Sequence, residues 1–407
     1  MQGNGVMLQD GERADGPSLG MPFDPAKLDR YLDEAGIDVL IATSKHNVRY
    51  LLGGHLHHFF AAMDAIGTSR YLPVLVYRTG RPEDAAYIAG RNEKDAIAVR
   101  ADEGRPLWPP RVEPGASGTI DAMALALEHV RSFSRPPHRI GVEAAFMPWD
   151  AGHALQNAFS QATLIEALRP LERLRAVKTA AELERLRLAS ERVVEAMLAA
   201  IAAHGPGVTK RELEATLRRE ETARGLVFDY GLLTVGANLN RAPSDDRWNA
   251  GDILSLDSGG NLDGYIGDLC RMAVLGEPDA ELEDLLGEVR EIQDCARRAV
   301  RAGVRGGEVV TEGEAAVARS PWAKSLNFVA HGMGLVSHEA PRLMSGGPIP
   351  YAADDIEAPL EVGMVLSVET TLKHATRGFI KLEDTVAVAA EGSIGFGDSG
   401  RGWNRHP

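Results

Sequence analysis

The feature that most constrains this chain is a segment in which two aspartates lie on either side of a glycine-rich turn. Residues 253–272 read ILSLDSGGNLDGYIGDLCRM. The apolar runs at both ends are predicted to form two antiparallel strands, because the glycines and asparagine between them favour a turn. A hairpin folded about Leu262–Asp263 places Asp257 directly opposite Asp268. Carboxylates that face each other at roughly 5 Å repel, so this pair requires a proton or a cation between them.

A second acidic hairpin is predicted further along the chain. Residues 364–388 read MVLSVETTLKHATRGFIKLEDTVAV, and folding them about Thr376 sets Glu369 opposite Glu383. His331 lies between the two hairpins, in NFVAHGMGLVSHEAP. A single acidic residue is usually a solvated strand residue. Four carboxylates and one imidazole, however, form a ligand set for two hard divalent ions about 3.5 Å apart that share a water.

The same motifs carry a resemblance to a known family. LDSGG, YIGDLCRM, AHGMGLVSHE, SVET and KLEDTVAV resemble, in order and spacing, the five-ligand signature of the pita-bread metallopeptidases. That family includes aminopeptidase P, prolidase and methionine aminopeptidase, with creatinase as a metal-free relative. The resemblance implies that Asp268 and Glu383 bridge two metal ions. Asp257 would chelate one of these ions, and His331 and Glu369 would complete the other.

The resemblance also implies roles in catalysis. Two bound ions lower the pKa of a shared water and polarise a substrate carbonyl, and Glu369 is the candidate to carry a proton to the leaving nitrogen. His338 matches a family histidine that lines the cleft and contacts the substrate or the oxyanion, although a lone histidine is more often a satisfied polar residue near a loop. A ligand set dominated by oxygen favours Mn, Co or Fe over a structural zinc. We expect Mn, with Co, Fe or Zn as alternatives.

Two departures from the family pattern concern the residues expected to bind the substrate. Aminopeptidase P and prolidase carry a substrate-holding histidine upstream of the first metal aspartate, where this chain has Asn240 followed by Arg241. Asparagine donates and accepts hydrogen bonds but does not titrate. Aminopeptidase P has an arginine two residues before the last glutamate, where this chain has Lys381, which keeps the charge but loses the bidentate fork. Both changes are expected to lie in the substrate layer.

Strand and helix patterns divide the chain into two domains. Residues 24–172 alternate short apolar strands with amphipathic helices, which is typical of an α/β domain. A capping box formed by Thr179 and Glu182 begins a long helix. The catalytic domain is expected to cover residues 173–400, which include this helix, and the resemblance implies that it has an α+β pita-bread fold. Residues 1–23 are predicted to be a flexible tail.

Three other segments carry weaker signals. Residues 393–407 are rich in glycine and are predicted to be a loosely held tail. The motif GGHLHHFF carries His55, His57 and His58, for which a solvated loop is favoured over a second metal site. In two-domain relatives the N-terminal domain of one subunit reaches the active site of its partner. The loop of residues 53–70 is the segment expected to do so here, which predicts a homodimer.

Composition excludes several classes of function. The net charge of −14 provides no basic surface for nucleic acid or for anionic lipid. The sequence contains no run of about 18 apolar residues, and its first residues lack the basic and apolar regions of a signal peptide. Two cysteines, Cys270 and Cys295, indicate a reducing compartment. We therefore expect a cytoplasmic protein without membrane or nucleic-acid partners.

Three functions remain open from the sequence. The leading hypothesis is metal-dependent hydrolysis of an amide bond in a short peptide, as in Xaa-Pro dipeptidases and aminopeptidases. The second is hydrolysis or lysis of a small non-peptide metabolite, as in creatinase, ectoine hydrolase or the dimethylsulfoniopropionate lyases of this fold. The lyases bear an extra aspartate two residues after the first ligand, where this chain has Gly259. The third is a binding protein without activity, which the five retained ligands disfavour.

Overall fold

The computed structural model describes residues 20–57, 70–345 and 350–406. The chain divides into two compact units, Met1–Leu174 and Arg175–Pro407, whereas the sequence places the boundary between residues 172 and 173. The predicted N-terminal tail falls outside the described residues up to position 19, and the loop predicted to reach a partner falls outside them at positions 58–69. Among the described residues, every helix is too short or too polar to span a bilayer.

The first unit is a mixed six-stranded sheet covered by helices on both faces. Its strands are β1 (Val39–Ala42), β2 (Val74–Arg78), β3 (Arg81–Gly90), β4 (Arg111–Ala116), β5 (Arg139–Val142) and β6 (Thr163–Glu166). Its helices are α1 (Pro25–Ala35), α2 (Lys45–Leu51), α3 (Lys94–Asp102), α4 (Thr119–Arg131) and α5 (Trp149–Ala158). The strand order is β4-β3-β2-β1-β5-β6. The predicted α/β architecture of this region is confirmed.

Alternation along β1 separates two apolar cores in this unit. Leu40 packs with α1 and α2 residues on one face, and Ile41 packs with α4 and α5 residues on the other. This follows from the period of two in a strand. The first helix begins at its cap, Asp24, and ends at Gly36, whose φ of 66° is available to glycine at little cost.

The histidine cluster of this unit differs from its prediction. His55 and His57 are buried, so a solvated loop is wrong for both, and His58 lies outside the described residues. The His55 Nε2 lies 3.0 Å from Glu93 Oε2, and that carboxylate also accepts from the Tyr87 hydroxyl at 2.9 Å. Burying a histidine is inexpensive when a carboxylate completes its hydrogen bonds.

The second unit contains an eight-stranded, mainly antiparallel sheet flanked by two pairs of helices, and a separate two-stranded sheet of β7 and β9. Its strands are β7 (Val208–Thr209), β8 (Val227–Val235), β9 (Arg247–Trp248), β10 (Ile253–Leu262), β11 (Tyr265–Val274), β12 (Leu326–Gly332), β13 (Val365–His374), β14 (Gly378–Ala389), β15 (Gly392–Phe396) and β16 (Asn404–Arg405). Helix α6 (Leu168–Ala176) contains the division between the units. The helices after it are α7 (Ala180–Ala202), α8 (Lys210–Ala223), α9 (Ala280–Ala299) and α10 (Gly306–Arg319).

Six long strands lie in the order β12-β13-β14-β11-β10-β8. Helices α7 and α8 share an apolar cluster with β8, β10 and β11, and α9 and α10 share another with β12, β13 and β14. The two halves of the sheet are thus covered in the same way, which agrees with a two-fold repeat of helices and hairpin. The capping box is confirmed, since Thr179 Oγ1 accepts from the Glu182 amide at 3.3 Å and Glu182 Oε2 accepts from the Thr179 amide at 2.7 Å.

The C-terminal segment is ordered, so the prediction of a loose tail is wrong. Residues of β15 pair with β14, and Asn404 pairs with Ala273 of β11. The buried guanidinium of Arg271 donates to the carbonyls of Gly397 and Ser399 at 2.6 and 2.7 Å. Glycine-rich composition misled because backbone carbonyls bind this segment to the sheet, together with a few polar side chains such as Arg401 on Asp384 and Asn404 on the Met272 carbonyl.

Candidate metal centre

The two acidic hairpins lie side by side in the sheet, but their registers differ from each other. Glu369 pairs with Glu383 across β13 and β14, as predicted. Asp257 pairs with Cys270 and Asp268 pairs with Gly259, so the prediction that the two aspartates face each other is wrong. The two-residue turn lies one residue further along than predicted, at Asp263 and Gly264, whose φ values of 52° and 98° suit such a turn.

The shift of register keeps both aspartates on one face of the sheet. A change of partner by two positions preserves the side on which a side chain lies, so Asp257 and Asp268 become diagonal neighbours. The apolar residues beside them, Leu256 and Leu269, pack against the helices. The carboxylates therefore point to the opposite face, where β11 meets β14 through the pair Cys270–Glu383.

Five predicted ligands converge on this face and are all buried. They come from five adjacent strands and are Asp257, Asp268, His331, Glu369 and Glu383. Within the described part of the chain, one group of three has ligand atoms within 4.8 Å of one another: Asp268, His331 and Glu383. Asp257 and Glu369 are not members of this group.

The imidazole of His331 is oriented for ligation. Its Nδ1 lies 3.2 Å from the carbonyl oxygen of Gly332. If Nδ1 carries the proton and donates it to that carbonyl, Nε2 keeps a lone pair that can bind a metal. This buried Nε2 has no hydrogen-bond partner among the described residues. It faces Glu369 Oε1 and Glu383 Oε1 at 3.9 and 3.8 Å. Burial lowers the pKa of His331, but the two carboxylates outweigh burial and raise it.

Lys381 lies among the ligands, and not beyond them in a substrate layer. Its ammonium is 2.6 Å from Glu369 Oε2, 2.7 Å from Asp257 Oδ2 and 2.8 Å from Glu383 Oε2. Strand alternation accounts for this, because residues 381 and 383 of β14 share a face. Burial lowers the pKa of Lys381, but Asp257 and Glu383 outweigh burial and raise it well above its usual value.

Arg241 and Asn240 occupy different surroundings. The Arg241 guanidinium donates to Asp257 and lies 5.2 Å from the centre of the Phe379 ring. Asn240 is exposed, and its side chain accepts from the Ala242 amide at 3.1 Å. Arg241 therefore borders the ligand set directly, whereas Asn240 stabilises the turn that carries it.

The charges on the carboxylates are unequally balanced. Burial, with the charges of Glu383 and Asp257, raises the pKa of Asp268 well above its usual value. Burial also raises the pKa of Asp257, although Lys381 opposes it. For Glu383, burial is outweighed by Lys381 and His331, so its pKa is lowered. Among these carboxylates, Asp268 in the group of three is therefore the one whose negative charge has least compensation from neighbouring cationic side chains.

A second histidine, His338, stacks on the ring of His331. The rings of His338 and His331 have centroids 3.7 Å apart and planes 16° apart. Burial, followed by the charge of His331, lowers the pKa of His338 to about 3. Its Nδ1 is buried without a hydrogen-bond partner in the described residues. A neutral imidazole with a free nitrogen can accept or donate one hydrogen bond to a bound molecule.

Sequence reasoning missed the residues that support these ligands. Asp384 is fully buried and its Oδ2 lies 2.9 Å from both Arg297 and Arg401, while its Oδ1 lies 3.0 Å from Arg271. Asp384 directly follows Glu383 on β14, so its side chain lies on the opposite, helix-facing side of the sheet. The ion pairs of Asp384 hold in place the strand that carries Glu383. The signal was present in the sequence KLEDT, where a second acid directly follows the first.

Two other supporting groups were also missed. The Tyr230 side chain interacts with Asp268, and a Cβ at Gly259 would lie 2.3 Å from the Tyr230 ring. Glu339, next to His338, binds Arg175 at 2.9 Å and Lys178 at 3.1 Å, and all three side chains are almost wholly buried. The basic run LERLRAVK, interpreted as a boundary, supplies both of these cations.

Comparison with known proteins identifies the family. The sequence profile of metallopeptidase family M24 matches residues 184–390, and that of the creatinase/prolidase N-terminal domain matches residues 26–177. The chain belongs to metallopeptidase family M24. It therefore joins a creatinase-type N-terminal domain to a pita-bread catalytic domain, as the motifs predicted, and it is a member of a family of metal-dependent hydrolases.

Individual relatives are distant but cover nearly the whole chain. An Xaa-Pro dipeptidase of Pyrococcus horikoshii is 23% identical over 375 residues, which is 90% of this chain and 94% of that protein. The agropine synthesis cyclase of Rhizobium rhizogenes is 25% identical over 390 residues, 89% of this chain and 91% of that protein. The structure of an Xaa-Pro dipeptidase from Bacillus anthracis superposes with a TM-score of 0.77 at 21% identity, covering 94% of this chain and 98% of that one.

The residues of this M24 protein fit a divalent metal ion. Two carboxylates and the lone pair of His331 Nε2 lie within one ion's reach, and the predominance of oxygen suits Mn, Co or Fe. A bound ion would polarise a water and a substrate carbonyl. Around it, Glu369 offers a carboxylate and His338 a neutral imidazole for the transfer of protons and the binding of substrate.

Proposed function

We propose that this M24 protein hydrolyses an amide bond in a short peptide, with an Xaa-Pro bond as its preferred target. The observation that carries the proposal is the convergence of all five predicted ligands on one buried face, with His338 stacked on His331. A binding protein has no need to keep so many buried, mutually repelling carboxylates, which are costly without a cation. Distant Xaa-Pro dipeptidases that match over nearly the whole chain support the peptide substrate.

Each residue in the proposed reaction has a defined task. The Glu369 side chain is 10% exposed, and its task is to take a proton from a water and to pass that proton to the leaving nitrogen. The neutral His338 donates a hydrogen bond to the substrate carbonyl as it becomes an oxyanion. Arg241, whose side chain is 32% exposed, is placed to bind the carboxylate of a short peptide, and Asn240 would border the same cleft.

A small non-peptide substrate is the second candidate. The specific observation in its favour is the agropine synthesis cyclase, which matches this chain over 390 residues. The change from the family pattern at Lys381 also alters the site itself. Lysis of the dimethylsulfoniopropionate type is disfavoured, because those lyases bear an aspartate where this chain has Gly259. The Tyr230 ring takes the space that a side chain at position 259 would need.

Peptide turnover and metal content separate these functions. Purified full-length protein would be assayed for bound metal, and then for Mn-dependent release of amino acid from Xaa-Pro dipeptides and tripeptides. Turnover that is lost in Glu369→Gln, and retained in the exposed control Glu391→Gln, supports the peptidase. Bound metal without turnover of any peptide would favour the metabolite, and protein that takes up no metal would favour a binding role.

We also propose Mn as the native ion and a homodimer in the cytoplasm as the working form. The ligand chemistry supports Mn, with Co, Fe or Zn as alternatives. The resemblance to two-domain relatives supports the dimer, and light scattering that shows a monomer would contradict it. Cys270 and Cys295 are both free thiols, which supports a reducing compartment.

A further inference from the structure

Lys381 fills a position that a second metal ion would need. An ammonium has three N–H groups to donate, and here three carboxylates from β10, β13 and β14 surround it at 2.6 to 2.8 Å. Its side chain is 5% exposed. A divalent ion between the same oxygens would sit about 2.0–2.3 Å from each, in the space that the Nζ atom takes.

Two glutamates divide their oxygens between two cation positions. Glu369 and Glu383 each direct Oε2 to the ammonium of Lys381. Each also directs Oε1 towards His331 Nε2. A bridging carboxylate directs one oxygen to each of two cations, and both glutamates have this arrangement. Here one of the two centres is an amino-acid side chain, and the other is the group formed with Asp268.

The balance of charge agrees with this division. Four buried carboxylates carry a charge of −4, and Lys381 with Arg241 supplies +2, which leaves −2 over these six side chains. One divalent ion neutralises that remainder, whereas two would leave an excess of +2, or of +1 with the shared water present as hydroxide, in a buried site. Uncompensated charge in low dielectric is strongly unfavourable.

We propose that Lys381 serves as the second cation of this site, so that the centre binds a single divalent ion through Asp268, His331 and Glu383. Glu369 Oε1 is placed to complete its ligands. Asp257 then binds the ammonium and Arg241, and its task is to hold these cations rather than a metal. The lysine suits this place because its charge is a compact point with three donors, whereas a guanidinium spreads its charge over a planar fork.

The inference rests on the proposed metal-dependent function but is tested without substrate. Metal-free full-length protein would be titrated with MnCl₂, with stoichiometry read by calorimetry and elemental analysis and the Mn electron paramagnetic resonance spectrum recorded at saturation. The wild-type protein is expected to bind one equivalent and to give the spectrum of isolated Mn²⁺. Two equivalents with an exchange-coupled spectrum would overturn the proposal. Peptide turnover is measured in a separate assay. The number of bound metal ions and the peptidase activity can therefore be contradicted independently of each other.

Variants sharpen the test. Lys381→Met removes the charge at similar length and is expected to bind a second equivalent. Asp257→Asn is expected to stay at one equivalent, whereas a metal ligand there would lose one. Lys373→Met, an exposed residue of the same hairpin, is the matched control and should match the wild type. If Lys381→Met does not fold, as judged by circular dichroism, the wild-type and Asp257→Asn stoichiometries still decide; loss of an equivalent in Asp257→Asn contradicts the inference.

Discussion

The imidazole of His338 lies parallel to that of His331, with ring centroids 3.7 Å apart. The Nδ1 atom of His331 lies next to the Gly332 carbonyl, and its Nε2 faces the carboxylates. The Nδ1 atom of His338 is buried and has no hydrogen-bond partner in the described structure. The two histidines thus have separate tasks. One is placed to hold an ion, and the other is left free to meet a substrate.

Replacing His338 by phenylalanine tests this separation. His338→Phe keeps the aromatic stack but removes the nitrogen that would stabilise an oxyanion, so kcat should fall about 10²–10³-fold, as for the loss of one oxyanion donor. Bound metal should remain at the wild-type level. Steady-state kinetics and elemental analysis measure the two quantities. A variant that loses its metal would show instead that the stack itself holds His331 in place.

Asp268→Ala should abolish high-affinity metal binding. Asp268 belongs to the group of three ligands within 4.8 Å, and its pKa is raised by burial and by Glu383 and Asp257, so it is the carboxylate most in need of a cation. Calorimetric titration with MnCl₂ measures the loss. Tyr230→Phe, which removes a hydroxyl that interacts with Asp268 but no ligand, is the comparison and should weaken affinity about 10–100-fold. Unchanged stoichiometry in Asp268→Ala would be incompatible with this role.

The sequence predicted the positions of the candidate ligands better than their surroundings, for a physical reason. Glu369 and Glu383 were placed opposite each other correctly, because alternation in a hairpin depends only on where the turn lies. Asp257 was misplaced because the two-residue turn depends on a positive φ at Asp263, which spacing does not reveal. Lys381 was assigned to the substrate layer because its contact with Asp257 spans 124 residues. Such contacts follow from strand order, which no local pattern encodes.

Glu339→Ala should destabilise the second unit strongly. The carboxylate of Glu339 is wholly buried between Arg175 and Lys178. Burial raises the pKa of Glu339, but the two cations outweigh burial and lower it. Removing the anion leaves two buried positive charges, which costs about 3–5 kcal/mol. Urea unfolding measures the change, and Glu291→Gln, which breaks an exposed pair with Arg298, should have little effect. Similar losses in both variants would contradict the assignment.

Glu221 should make stability depend on pH in the direction opposite to that of a salt-bridged acid. Glu221 is fully buried, and burial raises its pKa from 4.5 to about 7. Ser258 Oγ lies 2.7 Å from Glu221 Oε1 and 2.8 Å from the Tyr230 carbonyl. One hydroxyl proton cannot serve both acceptors, so a protonated Glu221 that donates to Ser258 satisfies the whole chain of hydrogen bonds.

The sign follows from proton binding. Between pH 4.5 and 7 the native state holds the Glu221 proton more tightly than the unfolded state does, so the free energy of unfolding falls as pH rises through this window. Glu221→Gln keeps a donor for Ser258 and removes the titration. Its stability relative to the wild type should therefore rise by up to about 3 kcal/mol from pH 5 to pH 8. Urea unfolding at several pH values measures the difference, with Glu220→Gln on the same helix as the charge-matched control; a difference that stays constant with pH would show that Glu221 is ionised throughout.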